Sequence, residues 1–122
     1  MTVEHFGAEP SRPLSAAVRA GAWLFVSGQA STDRATGRFL PGSFEDEFER
    51  AAANLLAVLA EAGASYEQVV KISAFVRDEE DLGHYNELYL ARFPHPRPAR
   101  TTSAMGFQFL RIELEAVAYL GT

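Results

Sequence analysis

The chain has 122 residues, 48% of them hydrophobic and 22% charged, with a formal net charge of -5. Length and composition suit one globular domain, taken as residues 1–122, with a modest core. The acidic balance and the lack of any lysine or arginine cluster argue against a nucleic-acid partner, which needs a basic face. The absence of cysteine excludes disulfides, thiol catalysis and cysteine-ligated zinc.

Met1-Thr2-Val3-Glu4-His5 offers neither a basic nor an apolar leader region, so no signal peptide is expected. No apolar run approaches bilayer length, so no membrane partner is expected and the cytoplasm is the expected compartment. Residues 1–11 read as a loose arm with a short strand near Val3–Phe6. Ser15–Ala20 reads as a weak, alanine-rich strand that Gly21 turns. Trp23-Leu24-Phe25-Val26 is apolar on both faces, and a strand of that kind needs cover on both sides. Asp33-Arg34-Ala35-Thr36-Gly37 is turn chemistry.

Ser43 is placed to cap a helix over 43–62, with Glu45, Asp46 and Glu47 in a first turn that favours negative charge. Phe44, Phe48, Ala51, Ala52, Leu55, Val58, Leu59 and Ala62 recur at helical spacing on one face, and Gly63 follows as a C-terminal glycine. Val69–Arg77 alternates as a strand. Asp78 or Asp81 can cap a second helix over 79–92, with Leu82, Tyr85, Leu88, Tyr89 and Phe93 inward. The run Phe93-Pro94-His95-Pro96-Arg97-Pro98 cannot be helical, and two final strands follow, over 99–106 and 110–120.

This order of strands, helix, strand, helix and strands predicts an α+β domain with two helices on one face of a mixed sheet. Lys71, Ser73, Phe75, Glu113, Glu115, Val117 and Tyr119 then occupy the other face. That face is too apolar for open water and too charged for a dry core. An oligomer that closes these faces against one another resolves the conflict, with clefts between subunits for the charged residues.

Candidate chemistry gathers late in the chain. In Arg111-Ile112-Glu113-Leu114-Glu115-Ala116 the charged and apolar residues alternate, the pattern of a half-buried strand. Arg100, expected on a neighbouring strand, has the planar fork that suits bidentate capture of a carboxylate. A site in which Arg100 grips a carboxylate and a glutamate moves protons fits these residues; so does a structural ion-pair network. His5, His84 and His95 lack metal-ligand spacing, and no metal site is expected. Ser27 reads as a strand-end residue whose backbone matters, and Asn86 as either a solvent-facing or a cleft-lining amide.

Several short motifs, in order, resemble one family. They are Ala17-Val18-Arg19-Ala20-Gly21, Leu24-Phe25-Val26-Ser27-Gly28-Gln29, Thr36-Gly37, Ala53-Asn54-Leu55, Val69-Val70-Lys71, Asn86, Tyr89, Pro98-Ala99-Arg100 and Ile112-Glu113-Leu114-Glu115-Ala116-Val117-Ala118. Together, over about residues 12–120, they resemble the YjgF group, the Rid family of reactive-intermediate deaminases. The resemblance implies a chorismate-mutase-like fold and a homotrimer with clefts between subunits. It implies hydrolysis of enamine or imine intermediates such as 2-aminoacrylate and 2-iminopropionate to a 2-keto acid and ammonia, with no cofactor.

Carried over by position, Arg100 binds the substrate carboxylate and Glu113 orients or activates water. Ser27 and Gly28 line the cleft, and Asn86 lies near it. Leu14 stands where the best-studied members have tyrosine, and Thr102 where they often have cysteine. The alternative reading is a non-catalytic trimer of the same fold that binds a small carboxylate or regulates a partner. RNA cleavage has also been attached to the family, and the acidic balance disfavours it here.

Overall fold

A computed structural model describes residues 2–121; Met1 and Thr122, the ends of the expected domain, lie outside the described residues. The strands are β1 (Val3–Phe6), β2 (Ala17–Ala20), β3 (Trp23–Gln29), β4 (Val69–Val76), β5 (Ala99–Ala104) and β6 (Ile112–Tyr119). The helices are α1 (Phe44–Glu61) and α2 (Leu82–Arg92). The strands form one mixed sheet in the order β1-β2-β3-β6-β4-β5. The β4–β5 pair is parallel and the other neighbours are antiparallel.

Helix α1 begins as its sequence dictates. The N–H of Asp46 donates to Ser43 Oγ at 3.1 Å, and the N–H of Ser43 donates to Asp46 Oδ2 at 3.4 Å, a reciprocal cap. Beyond its end Gly63 takes a left-handed φ of 80°, a conformation open to glycine without a Cβ clash. All eight residues of the anticipated apolar face are buried. Full burial of a side chain such as Phe48 or Leu55 contributes about 1.5–3 kcal/mol.

Helix α2 departs from expectation at its start. Residues Glu79–Asp81 form a separate 3₁₀ turn, and neither Asp78 nor Asp81 makes a side-chain cap hydrogen bond. Tyr85, Tyr89 and Phe93 are buried as anticipated, with Leu82 and Leu88 packed against them.

Both helices lie on one face of the sheet. On that face sit Leu24 and Val26 of β3, Ile72, Ala74 and Val76 of β4, and Ile112, Leu114, Ala116 and Ala118 of β6. The opposite face carries Trp23, Phe25, Lys71, Ser73, Phe75, Glu113, Glu115, Val117 and Tyr119. Within the protomer it is open: Trp23 is 45% exposed and Phe25 50%. Within the protomer the β3 segment is therefore covered on one side only. Trp23 and Tyr119 pack together on this face, with ring centroids 4.8 Å apart.

Candidate functional site

Glu113 stands at the floor of a cleft of about 410 Å³. Strand alternation turns its side chain away from the helices, opposite the flanking buried Ile112 and Leu114. Two features fix it. The carboxyl group of the buried Glu47 on α1 accepts the N–H of Arg111 at 2.9 Å, and Arg111 Nε lies 3.7 Å from the other oxygen. This anchors the backbone just before β6. On the other side Gly28 lies directly against the carboxyl group. A Cβ placed on Gly28 would fall 2.5 Å from Glu113 Cδ and 2.8 Å from each oxygen. Glycine is needed here for close approach rather than for its backbone angles. The approach is made where β3 loses register with β6, between Val26 and Gln29, the kind of irregularity that re-aims a strand.

Burial pushes the Glu113 carboxyl group above the usual carboxylate range, and the nearby charge of Glu115 pushes it the same way. A carboxyl group so raised holds and releases a proton closer to neutral pH than an exposed one.

The far wall of the cleft is the 30–40 segment. Asn54, buried on α1, donates through Nδ2 to the carbonyls of Ala30 at 2.9 Å and Thr32 at 3.0 Å. Ser31 donates to the carbonyl of Leu40 at 2.7 Å. These bonds hold Ala30, Thr32 and Phe39 against the cleft, which Phe109, Leu14 and Arg12 also line.

Of the residues singled out by sequence, Leu14, Gly28 and Glu113 come together in this cleft. Ser27 does not line it. Its hydroxyl donates to the carbonyl of Ser15 at 2.7 Å, and its N–H donates to that of Ala16 at 2.9 Å, so it pins the segment that follows Leu14.

Arg100 is elsewhere, and the expectation that it sits on a strand next to Glu113 is corrected. It lies on β5, with β4 between β5 and β6. Two strand spacings amount to about 10 Å. Arg100 is in register with the buried Ile72, whereas Glu113 is in register with Phe75 on the open face. Residues in register share a face of a sheet, so the two side chains leave the sheet in opposite directions. The guanidinium of Arg100 instead lies over the α2 tyrosines, 4.7 Å from the Tyr89 ring centroid and 5.7 Å from that of Tyr85. Cation–π attraction orients it there. Burial raises the Tyr85 phenol to about 12, an effect that Arg100 opposes. Thr102 shares the Arg100 face through its register with Ala74, and Asn86 is exposed on α2 beside Tyr85.

Lys71 Nζ donates to Thr101 Oγ1 at 2.8 Å. Glu115, Lys71, Ser73 and Phe25 border a smaller hollow of about 170 Å³ on the open face. Among the described residues no group of His, Cys, Asp or Glu is arranged to hold a metal ion. No helix there is long and apolar enough to cross a membrane.

Residues 6–120 match the model of the family described as Endoribonuclease L-PSP. The chain is 39% identical over 111 residues to the fission-yeast protein mmf2, mitochondrial, covering 87% of this chain and 86% of that protein. It is 33% identical over 111 residues to the mouse 2-iminobutanoate/2-iminopropanoate deaminase, covering 89% and 82%. The solved structure of RidA from an Antarctic Psychrobacter superposes with a TM-score of 0.82 at 28% identity, covering 91% of each chain.

Proposed function

This chain belongs to the Endoribonuclease L-PSP family, the YjgF/RidA group that its motifs resemble, and we propose that it hydrolyses small 2-imino acids to 2-keto acids and ammonia. The observation that carries this reading is the Glu113 carboxyl group, partly desolvated at the floor of a cleft and held against Gly28. Names of relatives, such as the mouse deaminase, support the reaction class.

The reaction is redox-neutral. Glu113 takes a proton from water as the oxygen bonds to the imine carbon. Glu113 returns that proton to the nitrogen, giving a carbinolamine, and the hydroxyl proton of the carbinolamine then moves to the amino group. The C–N bond then breaks, releasing ammonia and leaving the carbonyl. Arg100 holds the substrate carboxylate by charge-assisted hydrogen bonds and so supplies orientation.

Arg100 and Glu113 leave opposite faces of one sheet, so the proposal requires a second protomer. We assign the open face as the contact of a homotrimer in which Arg100 of one protomer, with Thr102 and Asn86 near it, meets the Glu113 cleft of another. The apolar Trp23, Phe25 and Tyr119 would be covered by this contact.

The test is a coupled assay. An amino-acid oxidase generates 2-iminopropanoate in situ, and pyruvate release is followed with and without the protein in the presence of chelator. Accelerated release is expected, from a species of trimer mass by light scattering. A rate equal to buffer alone, with pyruvate still binding, would replace this reading with the non-catalytic carboxylate-binding one.

A further inference from the structure

The Glu113 cleft carries more charge than a three-carbon imino acid uses. Five ionisable side chains line it: Arg12, Asp33, Arg34, Glu61 and Glu113. Three of them are committed to local structure. Arg34 is paired with Glu61. Asp33 Oδ1 accepts the N–H groups of Ala35 at 2.9 Å and Thr36 at 3.2 Å, closing its own turn. Glu113 and Arg12 remain.

Arg12 is tethered at the wall of the cleft. Its Nη1 donates to the carbonyl of Gly7 at 3.1 Å, which leaves most of the five guanidinium donors for a ligand. The segment carrying it is held from both ends. Gly7 takes a left-handed φ of 65°, and a Cβ there would fall 2.9 Å from the Cβ of Ala16. The N–H of Ala16 donates to the carbonyl of Phe6 at 2.8 Å, and the N–H of Arg12 to that of Glu9 at 2.9 Å. The carbonyl that aims Arg12 is therefore fixed by a glycine that no other residue replaces without strain.

The geometry points to Arg12 as the contact for a second carboxylate, which makes this cleft selective for dianionic 2-imino acids, whose side chain ends in an acid group. The inference rests on the deaminase reading of Glu113. A cleft of about 410 Å³ falls within the roughly 300–1,000 Å³ of pockets that bury drug-sized ligands, more room than a methyl side chain fills. The charge of Glu113 repels a carboxylate placed against it. A dianion across this floor therefore directs its acid groups to either side, one to Arg100 of a neighbouring protomer and one to Arg12. Leu14 gives the methylene carbons between them an apolar wall. A guanidinium takes a carboxylate through two parallel hydrogen bonds, which a surface lysine would not match.

The experiment compares two substrates and two ligands. Imino acids are generated in situ from D-alanine by D-amino-acid oxidase and from D-aspartate or D-glutamate by D-aspartate oxidase. Native protein should show the higher kcat/KM for the dianions. Arg12→Gln and Arg12→Ala should lower the ratio of dianion to monoanion kcat/KM by about 10-fold to 100-fold, the range for one hydrogen bond to a charged group. In parallel, calorimetry with glutarate and butanoate, neither of which reacts, should show tighter glutarate binding that Arg12→Gln removes. A ratio and a glutarate affinity that ignore Arg12 would overturn the inference, as would equal losses for both ligand classes. If no imino acid is hydrolysed while glutarate binding still depends on Arg12, the deaminase reading falls and the dicarboxylate site stands.

Discussion

Replacing Gly28 by alanine adds one methyl group at the point where the cleft is tightest. Gly28 does not use a left-handed φ, so alanine fits its backbone and the effect is steric. The new Cβ would stand 2.5 Å from Glu113 Cδ, and ordinary contact begins at 3.4 Å, so the carboxyl group must withdraw by about 0.9 Å. The obstructed atoms are the far end of a flexible side chain, which can swing clear at little cost to folding. A catalytic group misplaced by about 1 Å loses on the order of 10²-fold in rate. Gly28→Ala should therefore keep its melting temperature, keep KM within a small factor because Arg100 is untouched, and lose about 10²-fold in kcat. The assay is steady-state imine hydrolysis beside thermal unfolding. The double variant Gly28→Ala/Glu113→Gln should be no slower than Glu113→Gln alone, because both changes act through one carboxyl group. Native kcat in Gly28→Ala would refute the reasoning. A double variant far slower than Glu113→Gln would show that the methyl group obstructs the substrate itself.

Glu113→Gln should lower turnover by roughly 10²–10⁴-fold while raising stability at neutral pH. The folded carboxyl group is raised by burial, so the folded state binds its proton more tightly than the unfolded chain does. Stability from this group is full below the ordinary carboxylate value and is lost as pH rises through the raised one. Urea midpoints should thus favour the variant near about pH 7 and converge near about pH 4; a variant less stable at neutral pH contradicts this. Glu47→Ala leaves the part-buried N–H of Arg111 without its acceptor and should cost about 1–3 kcal/mol in denaturant unfolding; a loss below about 0.5 kcal/mol would show that β6 does not depend on this anchor. The hydroxyl of Tyr89 is buried without a partner among the described residues, so Tyr89→Phe should match or exceed the parent in melting temperature with KM unchanged. Tyr89→Leu, which removes the ring beneath Arg100, should raise KM about 2-fold to 5-fold; a destabilised Tyr89→Phe or a Tyr89→Leu with native KM argues against that platform.

Helix α1 was legible because periodicity, cap residues and terminal glycine agree over one continuous stretch. Strand β6 was legible because Ile112, Leu114 and Ala116 alternate with charge, which fixes both its existence and its faces. Strand β5 offers no such pattern. Ala99-Arg100-Thr101-Thr102-Ser103-Ala104 has no apolar alternation, so the face of Arg100 is decided by parallel register with β4, a long-range property. The strand order has the same origin, and it separated Arg100 from β6. Glu47 sits in an acidic first turn and reads as a partner of the helix dipole. Its burial depends on Arg111, 64 residues away. A carboxylate on the stripe of Phe44, Phe48 and Ala51 was the available signal. Arg12 lies in an arm without periodicity, where only the turn at Gly7 and the bonds to Phe6 and Glu9 define its place. The family motifs contributed Gly28, whose role as the surface against which Glu113 rests is geometric.

The opposed directions of Arg100 and Glu113 have a genetic counterpart. On the proposed three-fold assembly a cleft is assembled from two polypeptides, each giving a different half. Two defective alleles, one lacking the arginine and one lacking the glutamate, can then cure each other. In a cyclic trimer holding both chain types, one of the clefts joins an intact Arg100 to an intact Glu113, whichever type is in the majority. Random co-assembly of Arg100→Ala and Glu113→Gln chains in equal amounts should restore about one quarter of parental activity, since about three quarters of such trimers are mixed and each has one sound cleft in three. Mixing the two as preformed, non-exchanging trimers should restore nothing until the subunits are dissociated and reassembled.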